Sequence, residues 1–173
     1  MQLWALSFAK SGVLSTDSVA DQIYMRIIIG SIIAISFVSG VFGFFVDKSD
    51  MRILVPTLFA SRALCGVGFY FIDDPSTWYS YILCITTIVV SMLQYVAIEA
   101  LFLRGIKSHI RGTMQGLSLF FGAIGATSFA LFAGKLFDQV GPWAPFMLMS
   151  GADSAILIFT LIWIAMGLLK KTD

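Results

Sequence analysis

Five long apolar runs, separated by short polar stretches, organise the chain. Residues 27–46 (IIIGSIIAISFVSGVFGFFV) carry no charge, and as a helix they are long enough to cross about 30 Å of hydrocarbon. The run 53–72 carries a single charge, Arg62; the run 79–103 has Glu99 near its end; 113–134 is uncharged; 145–169 contains Asp153. Apolar runs of this length predict membrane-spanning helices rather than strands. The connections DDPSTW (73–78) and DQVGPW (138–143) are short and rich in turn formers. The expected fold class is therefore all-α and integral to a membrane, with five full spans. The opening MQLWALSFA (1–9) is too short to span and lacks the basic start of a signal peptide. It is expected to be the end of a transmembrane helix whose beginning lies outside the sequence. Residues 10–26 then form an extracytoplasmic loop.

The polar positions inside these runs are the candidates for function. Thr87, Ser91, Tyr95 and Glu99 recur every four residues, with Gln94 alongside, which places them on one slowly drifting helix face. Such groups face protein or a watery cavity, because lipid exposure is costly. They line a solute path or hold helices together by hydrogen bonds, and the sequence leaves both open. Arg62 lies about 13 Å from the 47–52 end of its span, at 1.5 Å per residue, and Glu99 lies about 7 Å from the same side. An intramembrane pair Arg62–Glu99 is expected, with a lone snorkelling Arg62 as the alternative. Asp153 stands nearer the opposite side, with no basic residue at its depth except Lys135, and is a candidate for proton coupling. Gly122, Ala126, Ala130 and Gly134, four apart, are expected to let helix backbones approach closely, so that Gly122→Leu is disruptive.

Composition sharpens this picture. Of 173 residues 58% are hydrophobic and 12% charged, whereas soluble domains carry about 25% charge. A net charge of +1 offers no basic excess for phosphates and argues against nucleic acid as a partner. Cys65 and Cys84 fall inside apolar runs, and His109 is the one histidine; neither a metal site nor a cofactor is expected. No phosphate-binding G-x-x-x-x-G-K-[ST] stretch occurs and no nucleophile–base set falls within the spans, so an enzyme is not expected. Lys48, Arg52, Arg104, Lys107, Arg111, Lys170 and Lys171 flank one side of the spans, against Lys10, Arg26 and Lys135 on the other. The positive-inside rule then places the 47–52 loop and the C-terminus in the cytoplasm.

Two stretches carry a family resemblance. GFFVDKSDMR (43–52) resembles the cytoplasmic loop signature of the major facilitator superfamily, roughly G-x-L-A-D-R-x-G-R-R. Gly43, Asp47, Lys48 and Arg52 match it, while Phe45, Val46, Asp50 and Met51 depart from it. The stretch 111–146, RGTMQGLSLFFGAIGATSFALFAGKLFDQVGPWAPF, resembles that superfamily's eleventh helix and following turn, with Gly134, Leu136, Asp138, Gly141, Pro145 and Phe146 in its G-x-L-x-D-x-x-G-x-x-x-P-F pattern. The resemblance implies the C-terminal half of a twelve-helix bundle, from the end of helix seven to helix twelve. It further implies that Asp47, Lys48 and Arg52 form a cytoplasmic latch, that the tenth helix lines the central cavity, and that the ninth and twelfth are peripheral. The eighth and eleventh would then form the contact between the two halves. The implied function is secondary transport of a small solute by alternating access. The implied partners are that solute, membrane lipid, and a missing N-terminal half or a second copy of the chain. The alternative is a half-bundle membrane scaffold or partner subunit that moves nothing.

Overall fold

The computed structural model describes residues 17–167. The expected helix fragment 1–9, the first part of the 10–26 loop and the basic tail with Lys170 and Lys171 lie outside the described residues. Five helices follow in order: α1 (Asp17–Lys48), α2 (Met51–Gly68), α3 (Trp78–Gly105), α4 (Arg111–Gln139) and α5 (Ala144–Ala165). A turn of 3₁₀ helix, Phe69–Phe71, extends α2, and another, Ser108–Ile110, precedes α4. No strand occurs among the described residues. Each of the five helices contains a stretch long and apolar enough to cross a membrane. Little of that apolar surface is hidden inside the chain: Phe37 is 78% exposed and Trp78 84%. Surface this greasy is compatible with a multi-pass protein solvated by lipid tails.

Residues 17–26, expected in a loop, are helical instead. Nothing in SVADQIYMR breaks a helix, and Val19, Ile23 and Ile27 stand four apart, so this amphipathic segment buries one stripe. Ile23 and Ile27 join Phe69, Ile72 and Cys84 in a core cluster, with Val19 packed against it. That cluster fastens the start of α1 to α3 and to the end of α2.

In space the helices run α1, α3, α2, α5, α4, each packed chiefly on its neighbours in that order. The closest pair is α2 with α5, antiparallel. Ser150 Oγ donates to the Ala63 carbonyl at 2.7 Å, both buried. Gly66 meets Ser150 and Phe146, Phe69 stacks on Phe146 with ring centroids 4.0 Å apart, and Tyr70 meets Trp143 edge-on. Hydroxyl and glycine at such a contact are the devices that let two helices approach without a large side chain between them.

The turns are set by local chemistry. Asp50, in the place where the resembled signature has glycine, caps α2: its carboxylate accepts from the Arg52 N–H at 3.0 Å. Thr77 caps α3, and Ser80, fully buried, donates to the Asp74 carbonyl at 2.8 Å. Between α4 and α5 the chain reverses at Gly141, whose φ of +143° is open to glycine and strained for other residues. Pro145 sits in the first turn of α5, where a missing N–H costs nothing.

The small-residue stripe of α4 meets no neighbour within this chain. No α4 residue is buried, and a Cβ placed at Gly122 or Gly134 meets nothing within 4 Å. Ala126 and Ala130 are exposed as well. The spacing was legible, but a stripe packs only if a neighbour faces it, and α4 touches this chain mainly through α5. Gly122→Leu is therefore expected to shift the unfolding free energy of the chain in detergent by less than about 0.5 kcal/mol. A thermal melt of the purified variant checks this, and a loss well above that value would place a neighbour against Gly122.

Candidate functional site

The charged residues of the bundle interior converge between α2, α3 and α5. Arg62 Nε lies 3.2 Å from Asp153 Oδ2, and Arg62 Nη1 donates to Gln94 Oε1 at 3.0 Å. The expected pair Arg62–Glu99 does not form, because depth decides the partner. Arg62 is nine residues from Phe71 at one end of its helix, and Asp153 is nine residues from Ala144 at the corresponding end of the antiparallel α5. Each is thus about 13 Å from the same side, close to the middle of a hydrocarbon layer of about 30 Å. Glu99 is five residues beyond Gln94, about 7 Å further toward the Lys48 end.

The pairing solves an electrostatic problem. An isolated charge at this depth costs about 2.5–3.5 kcal/mol or more, and a carboxylate against a guanidinium is net neutral. The Nε–Oδ2 contact is ionic without the alignment of a hydrogen bond, since Asp153 Oδ2 is buried with no hydrogen-bond partner among the described residues. The two sides of the pair differ in access: the Arg62 side chain is 20% exposed and that of Asp153 only 6%.

What Arg62 faces is a cavity of about 330 Å³. Gln94 and Asp153 share its polar wall, while Phe59, Ile98, Ile156 and, from α4, Phe129 supply apolar walls. Few convergent polar groups in a mainly apolar recess of this size is the usual make-up of a small-molecule site.

Of the expected path residues, Gln94 alone borders this cavity. Gln94 is buried, whereas Tyr95 is 58% exposed and turned elsewhere. A repeat of four on a helix of 3.6 residues per turn drifts by about 40° at each step, so Thr87 and Glu99 end on clearly different faces. Thr87 and Ser91 spend their hydroxyls on the helix itself, donating to the Leu83 and Thr87 carbonyls at 2.7 Å each, a common habit of Ser and Thr in apolar helices. Phe129, Met149 and Ala152, also at the cavity, were not expected; being apolar, they carry no signal that separates them from ordinary lipid-facing residues.

Of the expected latch, the side chains of Gly43 and Asp47 lie outside the described residues. Lys48 Nζ stands 4.1 Å from the centre of the Phe44 ring, one turn back on its own helix. Arg52 is half-buried at the start of α2, with no hydrogen-bond partner for its Nε among the described residues. No group of His, Cys, Asp and Glu able to hold a metal occurs among the described residues.

No protein-family model, curated protein or solved structure matches the chain.

Proposed function

We propose that the chain is the C-terminal half of a secondary transporter of the major facilitator type, moving a small solute by alternating access. The observation that carries this reading is the cavity beside Arg62, Gln94 and Asp153. A charged pair near mid-span is expensive to keep, and its usual employment is in a substrate or ion pathway. Solute sites of secondary transporters also lie near the midplane, between elements that move against one another. The resemblance of 43–52 and 111–146 to that superfamily supports the same conclusion. In this reading Gln94 and Arg62 bind the solute, and Asp153 holds the guanidinium in place between solute molecules.

The test is exchange in proteoliposomes containing the chain purified together with the other half or second copy that completes it, loaded with a mixture of labelled amines, carboxylates, sugars and nucleosides. At least one solute is expected to exchange saturably, and Gln94→Ala to weaken that exchange. A hydrogen bond to a charged group is worth about 1.5–3 kcal/mol, so the half-saturating concentration of that solute should rise by about tenfold or more. Absence of any saturable exchange dependent on Gln94 would contradict the proposal.

A second reading has its own observation. The bare small-residue face of α4, open around Gly122 and Gly134, suits a chain that works as a scaffold or partner subunit. That reading predicts that Gly122→Leu alters assembly with another chain while leaving solute exchange absent in both forms.

A further inference from the structure

The cavity at Arg62 does not end there. A second, almost wholly apolar groove of about 420 Å³ adjoins it and shares three of its residues, Phe59, Ile98 and Ile156. The groove continues along α2 and α5 toward Met51 and Trp163. From Arg62 to Met51 is eleven residues of one helix, a length of about 16 Å. Of the two adjoining recesses, the one at Arg62 is thus partly polar and the other is hydrocarbon-like. At the polar end, the group with access is the cation: Arg62 is the more exposed partner of the pair and Asp153 is nearly closed off. The contacts to Asp153 and Gln94 use Nε and Nη1, and neither uses Nη2. A planar guanidinium with donors to spare matches a carboxylate.

We infer that the site takes a long-chain carboxylate, its head on Arg62 and its tail along the groove toward Trp163. This rests on the proposal that the Arg62 cavity is a solute site, and it narrows the solute to a single-chain anionic amphiphile. A short polar solute would leave the apolar groove unfilled, and an amphiphilic cation would meet the guanidinium first, since Asp153 is nearly closed off. Two-chain lipids are disfavoured by the single groove.

Trp163 at the far end supplies the readout. The whole chain is placed in discs of uncharged-headgroup lipid and titrated with a long-chain fatty acid brominated near the end of its tail. The Trp163 contribution is isolated as the difference from Trp163→Phe. The carboxylate is expected to quench saturably, and the brominated alcohol of the same length to bind about tenfold more weakly or worse. Arg62→Gln paired with Asp153→Asn, which removes both charges while keeping polar groups, is expected to abolish the preference for carboxylate over alcohol. Thr160→Phe, at a position that lines the groove and not the Arg62 cavity, should weaken the long-chain ligand and spare a short-chain carboxylate that competes for the head site. Equal quenching by acid and alcohol, or a preference that survives loss of both charges, would overturn the inference. Saturable, charge-dependent binding without any flux would sustain the inference and defeat the transport reading. Flux of another solute, with which long-chain carboxylates do not compete, would do the reverse.

Discussion

Asp153→Ala is expected to destabilise the bundle by about 2–3 kcal/mol, measured as a shift in the denaturant midpoint of the purified chain in micelles. Removing one partner of a buried ion pair leaves the other charge uncompensated, which costs about 3–5 kcal/mol when both are fully buried. Arg62 is 20% exposed, so part of that cost is relieved by water reaching the guanidinium from the cavity. The double variant Arg62→Leu with Asp153→Leu removes both charges and should recover most of the loss, because a neutral apolar pair carries no desolvation debt. A double variant as unstable as the sum of its parts would show that the two side chains do not meet. Glu99→Ala serves as the contrast: Glu99 lies away from Arg62, and the effect should stay within about 0.5 kcal/mol.

The second large effect is expected at Gly66. A Cβ there would stand 2.8 Å from the Ser150 Cβ and 3.0 Å from the Phe146 carbonyl oxygen. Neither obstacle is the end of a flexible side chain, so α2 and α5 must separate to admit one. Their separation strains the Ser150–Ala63 hydrogen bond and the Phe69–Phe146 stack together. Overpacking of this kind costs about 1–3 kcal/mol, and Gly66→Val is expected near the upper end, Gly66→Ala lower. Since Arg62 and Asp153 lie one turn further along the same interface, Gly66→Val should also weaken any ligand of the cavity. Unfolding in micelles and ligand titration check the two arms; a Gly66→Val protein as stable as the parent would contradict the α2–α5 register.

These two residues show where sequence reading succeeds and where it stops. The spans are legible because some twenty apolar residues in a row have few other uses, and each of the five expected runs is helical over most of its described residues. The start of α1 was missed because Arg26 and Asp21 interrupt the hydropathy. The stripe Val19, Ile23, Ile27 was the signal that could have found it. The sequence singles out Arg62 and Asp153 but not their pairing, because depth counted from the Lys48 side for one and from the opposite side for the other hides it. Counting both from the Phe71 and Ala144 ends gives equal depth, and that count needs only the helix boundaries. Gly66 carried no sequence signal, since an isolated glycine in an apolar run says nothing of what faces it. The α4 stripe is the reverse case, a clear pattern with no neighbour in this chain to receive it.

Asp50 illustrates how a departure from a resembled pattern acquires its own reason. Where the signature has glycine, this chain has a carboxylate that caps α2, so the short turn between α1 and α2 is stabilised by a cap, worth about 1 kcal/mol.

If Arg62, Gln94 and Asp153 line a solute path, the exposed surface of the bundle divides into a lipid-facing part and a watery recess at those residues. Thiol labelling in sealed membrane vesicles tests this most directly, with Cys65 and Cys84 replaced by alanine and a membrane-impermeant reagent supplied from each side in turn. Single cysteines at Ala152, beside the cavity, and at Phe37, 78% exposed on α1, report on the two surfaces. Ala152→Cys is then expected to react and Phe37→Cys not to, although both side chains are exposed in the isolated chain. Equal reaction at both positions, or reaction at Phe37 alone, would contradict it.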